Sequence, residues 1–197
     1  MYVVEVFNSV QGEGCNVGIP CTFIRLAGCN LACSWCDEPM HKNSGYSIDC
    51  VELVKRCMHK LVVVTGGEPT LQAEELKQFI KLCQSNDHIV AIESNGTYRD
   101  YSEFGCYVAV SPKNQNMYAF VPSGVAELKY VVTEDFNADV AIPESVRKKF
   151  DRRIWLQPCD DGTEEGIKRM WKKCYEIAQM DDRLRVGFQL HKILGVM

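Results

Sequence analysis

The sequence predicts an α/β fold, about six parallel strands with about three helices in an incompletely wrapped barrel, and three observations carry that prediction. Apolar runs of four to eight residues recur along the chain, the length of a buried strand. Apolar residues spaced three and four apart, the mark of a helix with one buried face, follow only some of those runs. Polar, glycine-containing stretches stand at the C-terminal ends of the runs, where parallel sheets and barrels keep their ligands.

In chain order, an N-terminal segment at 2–7 precedes strands expected at 21–26, 61–64, 89–92, 107–110, 128–132 and 154–156. Each is dominated by β-branched, aromatic or other large apolar residues, the types that pack on a pleated surface. Helices are expected at 48–59, with Val51, Val54 and Met58 on one face, at 74–84, with Leu76, Phe79, Ile80 and Cys83 inward, and at 164–180. A chain of 197 residues with 46% hydrophobic and 24% charged content holds enough material for one core, so a single domain over 1–197 is expected.

Charge and hydropathy narrow the classes of function. A net charge of -4 gives no basic footprint for nucleic acid, and no apolar run approaches the roughly 20 residues that span a bilayer. An odd count of 11 cysteines, with no secretory signal at the N-terminus, points to reduced thiols in the cytoplasm. The expectation is a protein that acts on a small molecule, without nucleic acid or membrane as partner.

The chemistry concentrates in Cys29-Asn30-Leu31-Ala32-Cys33-Ser34-Trp35-Cys36. Three thiolates spaced C-x-x-x-C-x-x-C can hold three irons of a cubane cluster and leave the fourth iron open to substrate. With His41 five residues beyond Cys36, a Cys3His zinc module without catalysis is the alternative. Zinc, however, commonly takes two well-separated ligand pairs, and no second pair follows here. The remaining cysteines, Cys57 and Cys83 among them, read as small core residues.

Further motifs fall on the same mouth. They are Thr65-Gly66-Gly67-Glu68-Pro69 after the second strand, Glu93-Ser94-Asn95-Gly96-Thr97 after the third, Ser111-Pro112-Lys113 after the fourth and Gln157-Pro158 after the sixth. Each alone is a weak signal; their convergence at one end of the strands is the argument.

The cluster loop, with Trp35 before its last cysteine, and the Gly66-Gly67-Glu68-Pro69 loop resemble those of the radical S-adenosylmethionine (SAM) enzymes. Gln11-Gly12-Glu13-Gly14, Arg25 and Gln189-Leu190-His191-Lys192 narrow the resemblance to the 7-carboxy-7-deazaguanine synthases, across nearly the whole chain. That family implies an abbreviated, partial TIM-like radical SAM barrel. It also implies magnesium-assisted ring contraction of 6-carboxy-5,6,7,8-tetrahydropterin to 7-carboxy-7-deazaguanine with loss of ammonia, a step toward queuosine and other 7-deazapurines. A glycyl-radical-type activating enzyme of the same superfamily is the runner-up, disfavoured because Gln11-Gly12-Glu13-Gly14 and Arg25 suit a small carboxylated substrate.

The resemblance also distributes roles. Cys29, Cys33 and Cys36 hold the 4Fe-4S cluster, and Trp35, Cys36 and Asp37 contact SAM through their backbone. Gly66, Gly67 and Glu68 receive the methionine ammonium; Glu93, Ser94, Ser111, Lys113 and Gln157 complete the cofactor side. Val10, Gln11, Gly12, Glu13, Arg25, Thr65, His191 and the terminal carboxylate at Met197 line the pterin. Glu38 replaces the usual Thr or Ser as magnesium ligand, a role open to a carboxylate because magnesium accepts hard oxygen donors. An external flavodoxin-like reductant and a homodimer are implied as well.

Overall fold

The computed structural model describes residues 1–36, 44–113 and 121–196. The strands are β1 (Tyr2–Val10), β2 (Pro20–Leu26), β3 (Tyr46–Ser47), β4 (Leu61–Gly66), β5 (Ile89–Ser94), β6 (Tyr107–Val110), β7 (Glu127–Val132), β8 (Ile154–Pro158) and β9 (Leu184–Val186). They form one nine-stranded sheet in the order β3-β1-β2-β4-β5-β6-β7-β8-β9. From β2 to β9 every pairing is parallel, while β1 runs antiparallel to both β2 and β3. All six expected strands are present. Two further strands, β3 and β9, are two and three residues long, too short for an alternation to show in sequence.

The helices are α1 (Cys50–Lys55), α2 (Ala73–Ser85), α3 (Ala138–Ala141), α4 (Glu144–Lys149), α5 (Glu164–Met180) and α6 (Leu190–Leu194). None of the described helices is long and apolar enough to cross a membrane. α2 and α5 match expectation, α2 with Leu76, Phe79, Ile80 and Cys83 buried and α5 started by the Thr163 hydroxyl, which accepts from the Gly166 amide.

The first expected helix is corrected: it is half as long and turns a different face inward. α1 is capped by Asp49, whose carboxylate accepts from the Val51 amide, and its buried residues are Leu53 and Val54. Val51 and Met58 are exposed. The helix stops because the Thr22 hydroxyl on β2 accepts from the Met58 and His59 amides at 3.0 and 3.2 Å. Those amides are thereby drawn from the helical ladder and led into β4.

Parallel strands buried on both faces divide the core in two. One face, with Ile24, Leu26, Val62, Val64, Ile92, Val110, Leu128, Tyr130 and Leu156, packs under the helices. The opposite face lines the interior of the curved sheet. Its base is a small apolar cluster of Cys21, Leu61, Val63 and Ala91, against which Phe23 and Tyr107 pack. Above that plug the same faces of β2, β4 and β5 carry Arg25, Thr65 and Glu93, and β7 and β8 add Lys129 and Gln157 to the cavity lining. The switch from aliphatic to polar along each strand marks where the packed core ends and a cavity begins.

Candidate active site

A cavity of about 740 Å³ opens at the carboxyl ends of the parallel strands. The cysteine loop forms one side of its mouth: Cys29, Cys33, Trp35 and Cys36 all line it, and the Cys36 amide donates to the Cys33 carbonyl at 3.3 Å. Burial pushes the Cys33 thiol up, Lys113 pulls it down, and the neighbouring Cys36 and Cys29 push it up again. Cys33 thus feels Lys113 and both other thiols, and the three sulphurs gathered on one side of the mouth are the type of donor set an iron-sulfur cluster takes. Among the described residues no three His, Cys, Asp or Glu side chains converge tightly enough for a single metal ion, and His41 lies outside them. All eleven cysteines are free thiols.

The glycine loop after β4 is packed against the start of the cysteine loop. Gly67 donates to the Leu26 carbonyl at 3.0 Å, and the Glu68 amide to the Gly28 carbonyl at 2.7 Å. A Cβ at Gly67 would stand 1.8 Å from the Gly28 oxygen, so only glycine permits this contact. Gly66 and Gly67 line the cavity, as do Ser94, Ser111, Lys113 and Gln157. Lys113 donates to the Ser111 hydroxyl at 2.9 Å, and the Ser111 amide donates to the Ser94 carbonyl at 2.8 Å, joining two strand ends. Both polar atoms of the Gln157 amide are buried and meet no partner among the described residues, as a group that receives a ligand in the cavity would.

Glu68 has a different place from the one its motif suggests. Its side chain is fully buried and does not line the cavity. Oε1 accepts from the Thr70 amide at 3.1 Å, the Thr70 hydroxyl at 2.6 Å and the Ser94 hydroxyl at 2.8 Å, and Oε2 accepts from the Asn95 amide at 2.7 Å. The carboxylate caps the turn at Pro69–Gln72 and fastens it to the end of β5. Asn95 continues the link, donating to Asn30 of the cysteine loop at 2.9 Å. Sequence reasoning passed over Asn30 and Asn95, which a loop of this polarity does not distinguish from solvated residues.

The deeper half of the cavity is a layer of charge. Arg25 donates through Nε to Glu5 Oε1 at 2.7 Å, and its guanidinium stands 5.3 Å from the Phe7 ring. Thr65 is its neighbour in the sheet, in register on β4. Across the floor, Lys129 Nζ lies 2.9 Å from Glu13 Oε2 and 2.5 Å from Glu93 Oε2. Gln11 donates to Glu93 and Gln189 to Glu13, each at 3.0 Å. Glu93 thus belongs to the floor beside Gln11, apart from the cysteine loop, where the resemblance puts it on the cofactor side. Sequence reasoning missed Lys129 and Gln189 as site residues; a lysine on the inward-facing alternation of Glu127, Lys129 and Val131 was the available signal.

The Gln-Gly-Glu-Gly segment crosses beneath this layer. Gly14 has φ of 69°, and a Cβ there would lie 2.3 Å from Glu127 Oε1, whose carboxylate also accepts from the Cys15 amide and the Trp155 indole at 2.8 Å. The Gly12 carbonyl accepts from the Leu190 amide at 3.0 Å, which sets His191 at the cavity wall. Val10 and Gly12 themselves do not line the cavity. Asp37, Glu38 and Met197 lie outside the described residues.

Residues 23–113 match the Radical SAM superfamily. The chain is 34% identical over 200 residues to the 7-carboxy-7-deazaguanine synthase of Aquifex aeolicus (strain VF5), covering 95% of this chain and 90% of that protein. It is 32% identical over 216 residues to the enzyme of that name from Rickettsia prowazekii (strain Madrid E), covering 98% of this chain and 88% of the relative. The crystal structure of QueE from Escherichia coli superposes with a TM-score of 0.68 at 25% identity, covering 96% and 94% of the two chains.

Proposed function

We propose, from the premise that this chain belongs to the 7-carboxy-7-deazaguanine synthase family, that it is a radical SAM enzyme which contracts the ring of 6-carboxy-5,6,7,8-tetrahydropterin to 7-carboxy-7-deazaguanine with release of ammonia. The observation that carries the reading is that one cavity joins three thiols and a Gly-Gly loop at its mouth to an Arg25 and Glu13 layer at its floor. The cluster and SAM, when bound, supply the radical that starts the rearrangement.

The residues divide that task. Cys29, Cys33 and Cys36 would hold the cluster, with Trp35, Cys36, Asp37, Gly66, Gly67, Ser94, Ser111, Lys113 and Gln157 toward SAM. Gln157 suits this role because its buried amide needs both a donor and an acceptor. Glu68 acts at one remove, by holding the glycine loop against the end of β5. On the substrate side, Arg25 suits a carboxylate. Gln11, Glu13 and Glu93 suit the N–H edge of a pterin; Thr65 and His191 close the sides, Val10 and Gly12 act from behind the lining by shaping the Gln11–Glu13 segment, and Met197 supplies the terminal carboxylate. Glu38 supplies the magnesium ligand.

The chain would act as a homodimer in the cytoplasm, where its free thiols stay reduced, with electrons from a flavodoxin-like protein. The test is direct. Protein reconstituted anaerobically with iron and sulfide is incubated with SAM, dithionite, magnesium and the carboxytetrahydropterin, and 7-carboxy-7-deazaguanine is sought by mass. SAM cleavage without that product overturns the substrate; no SAM cleavage at all overturns the reaction class.

A further inference from the structure

The cavity floor holds a five-membered line of side chains, Gln189, Glu13, Lys129, Glu93 and Gln11, each bonded to the next at 3.0 Å or less. It contains two carboxylates and one ammonium, a net charge of one negative. The Lys129 side chain is only 7% exposed, and those of Glu13 and Glu93 are 18% and 17% exposed. Two carboxylates this close and this dry stay ionised together only with a cation between them. Arg25 lies across the floor from this line, paired through Nε with Glu5, and Lys113 stands near the mouth. The cavity therefore sets an acceptor-rich line of side chains against a guanidinium whose charge is shared with Glu5.

We infer that Lys129 is a positioning and specificity-determining residue: its ammonium holds the Glu13 and Glu93 carboxylates charged and side by side, as acceptors for a ligand edge bearing paired N–H donors. A ligand with such an edge at one end and a carboxylate at the other enters in one orientation only, the carboxylate turned to Arg25. The inference rests on the pterin reading above and assigns to Lys129 the role of fixing that orientation.

Charges around the cluster agree. Burial works against the charge on Lys129, but Glu13 and Glu93 outweigh it and hold the ammonium above its ordinary range. Burial likewise raises Glu13, yet Lys129 and Gln189 bring its carboxyl below the usual value. Burial pushes Glu93 up, with Lys129 opposing and Glu13 and Glu127 adding to the rise. Glu93 is thus the member nearest to taking a proton. The other titratable groups facing the cluster among the described residues are Glu127 on β7, His191 on α6 and Cys21 on β2.

The test titrates 6-carboxypterin, a fluorescent, fully oxidised pterin without the tetrahydro ring of the substrate, into the ligand-free protein from pH 5.5 to 7.5. Lys129→Met leaves two carboxylates without their cation, so one takes a proton across this range. Its affinity is expected to fall about tenfold to a hundredfold at the acid end, the worth of one or two charge-assisted hydrogen bonds, and to recover toward the wild-type value as pH rises. Lys129→Arg keeps the charge and should stay within about threefold of wild type, with an unchanged profile. Infrared spectra of ligand-free protein at pH 5.5 should show an additional protonated-carboxyl band in Lys129→Met that is lost by pH 7.5 and is absent from Lys129→Arg. If Lys129→Met does not fold, Lys129→Gln, equally uncharged, replaces it in both measurements.

Equal binding and parallel pH profiles in wild type and Lys129→Met overturn the inference, as does the lack of the infrared band. An equal loss in the Met and Arg variants, with unshifted profiles, shows packing instead of charge and overturns it too. Wild-type protein that fails to bind 6-carboxypterin, while Lys129→Met gains the infrared band, overturns the pterin reading and leaves the charge-holding role of Lys129 standing.

Discussion

Replacing Glu68 by glutamine keeps the shape of the side chain but halves its acceptors. The best placement of the amide leaves its oxygen on the Oε1 side, where the Thr70 amide, the Thr70 hydroxyl and the Ser94 hydroxyl converge. Its NH2 then faces the Asn95 amide, donor against donor, where the carboxylate accepts at 2.7 Å. One buried N–H left without an acceptor costs about 1–3 kcal/mol, and the three surviving bonds lose their charge assistance. Release from burying a charge offsets part of this, so about 2–4 kcal/mol of net destabilisation is expected. For a chain of this size that is a fall in melting temperature of about 4–16 °C. Melting of ligand-free protein, followed by circular dichroism, reads it. Because the carboxylate joins two loops and does not line the cavity, affinities for SAM and for 6-carboxypterin should fall together. An unchanged melting temperature with a selective loss of SAM affinity would refute this reasoning and return Glu68 to the ammonium of SAM.

Replacing Cys29, Cys33 and Cys36 together by alanine should abolish both the broad visible absorbance of the reconstituted protein and all SAM cleavage; residual cleavage would show that other ligands hold the cluster. Glu38→Gln should raise the magnesium concentration needed for turnover while leaving uncoupled SAM cleavage intact, and wild-type turnover indifferent to removal of divalent metal would sink that role. Asp181 accepts from Arg183 Nε at 2.8 Å and from Arg147 Nη1 at 2.9 Å, and these bonds, those of Arg183 first, bring its carboxyl down to about 2. A carboxyl lowered on folding stabilises above its ordinary value near 3.8, and that stability disappears as pH falls toward about 2. The urea-midpoint gap between wild type and Asp181→Asn should therefore be constant from pH 5 to 7 and close below pH 4; a gap independent of pH down to 2.5 would contradict it.

The strands and α2 and α5 were legible because apolar runs and helical spacing are local properties of the chain. What escaped depends on residues far apart in sequence. α1 ends where the Thr22 hydroxyl takes its amides, an event no window around residues 50–59 contains. The mouth of the cavity could be read as motifs, since cysteine spacing and paired glycines are local. Its floor could not, because Lys129 gains meaning only beside Glu13, more than a hundred positions away. Glu68 shows the converse limit: the glycine loop its motif marks does line the cavity, yet the direction of the Glu68 side chain follows from Ser94 and Asn95 at the end of β5.

The alternation described for β2 and β4 to β8 has an evolutionary consequence. Short of the strand ends, where Gly66, Ser94 and Pro158 also reach the cavity, the cavity and its apolar plug are built from odd-numbered positions, such as 25, 65, 93, 129 and 157, while the helix-facing core is built from even-numbered ones, such as 24, 64, 92, 130 and 156. Selection for a new ligand and selection for a foldable chain therefore fall on separate sets of sites. A lineage can rewrite the first set while holding the second nearly constant, so the scaffold can outlast any one of the substrates it has served.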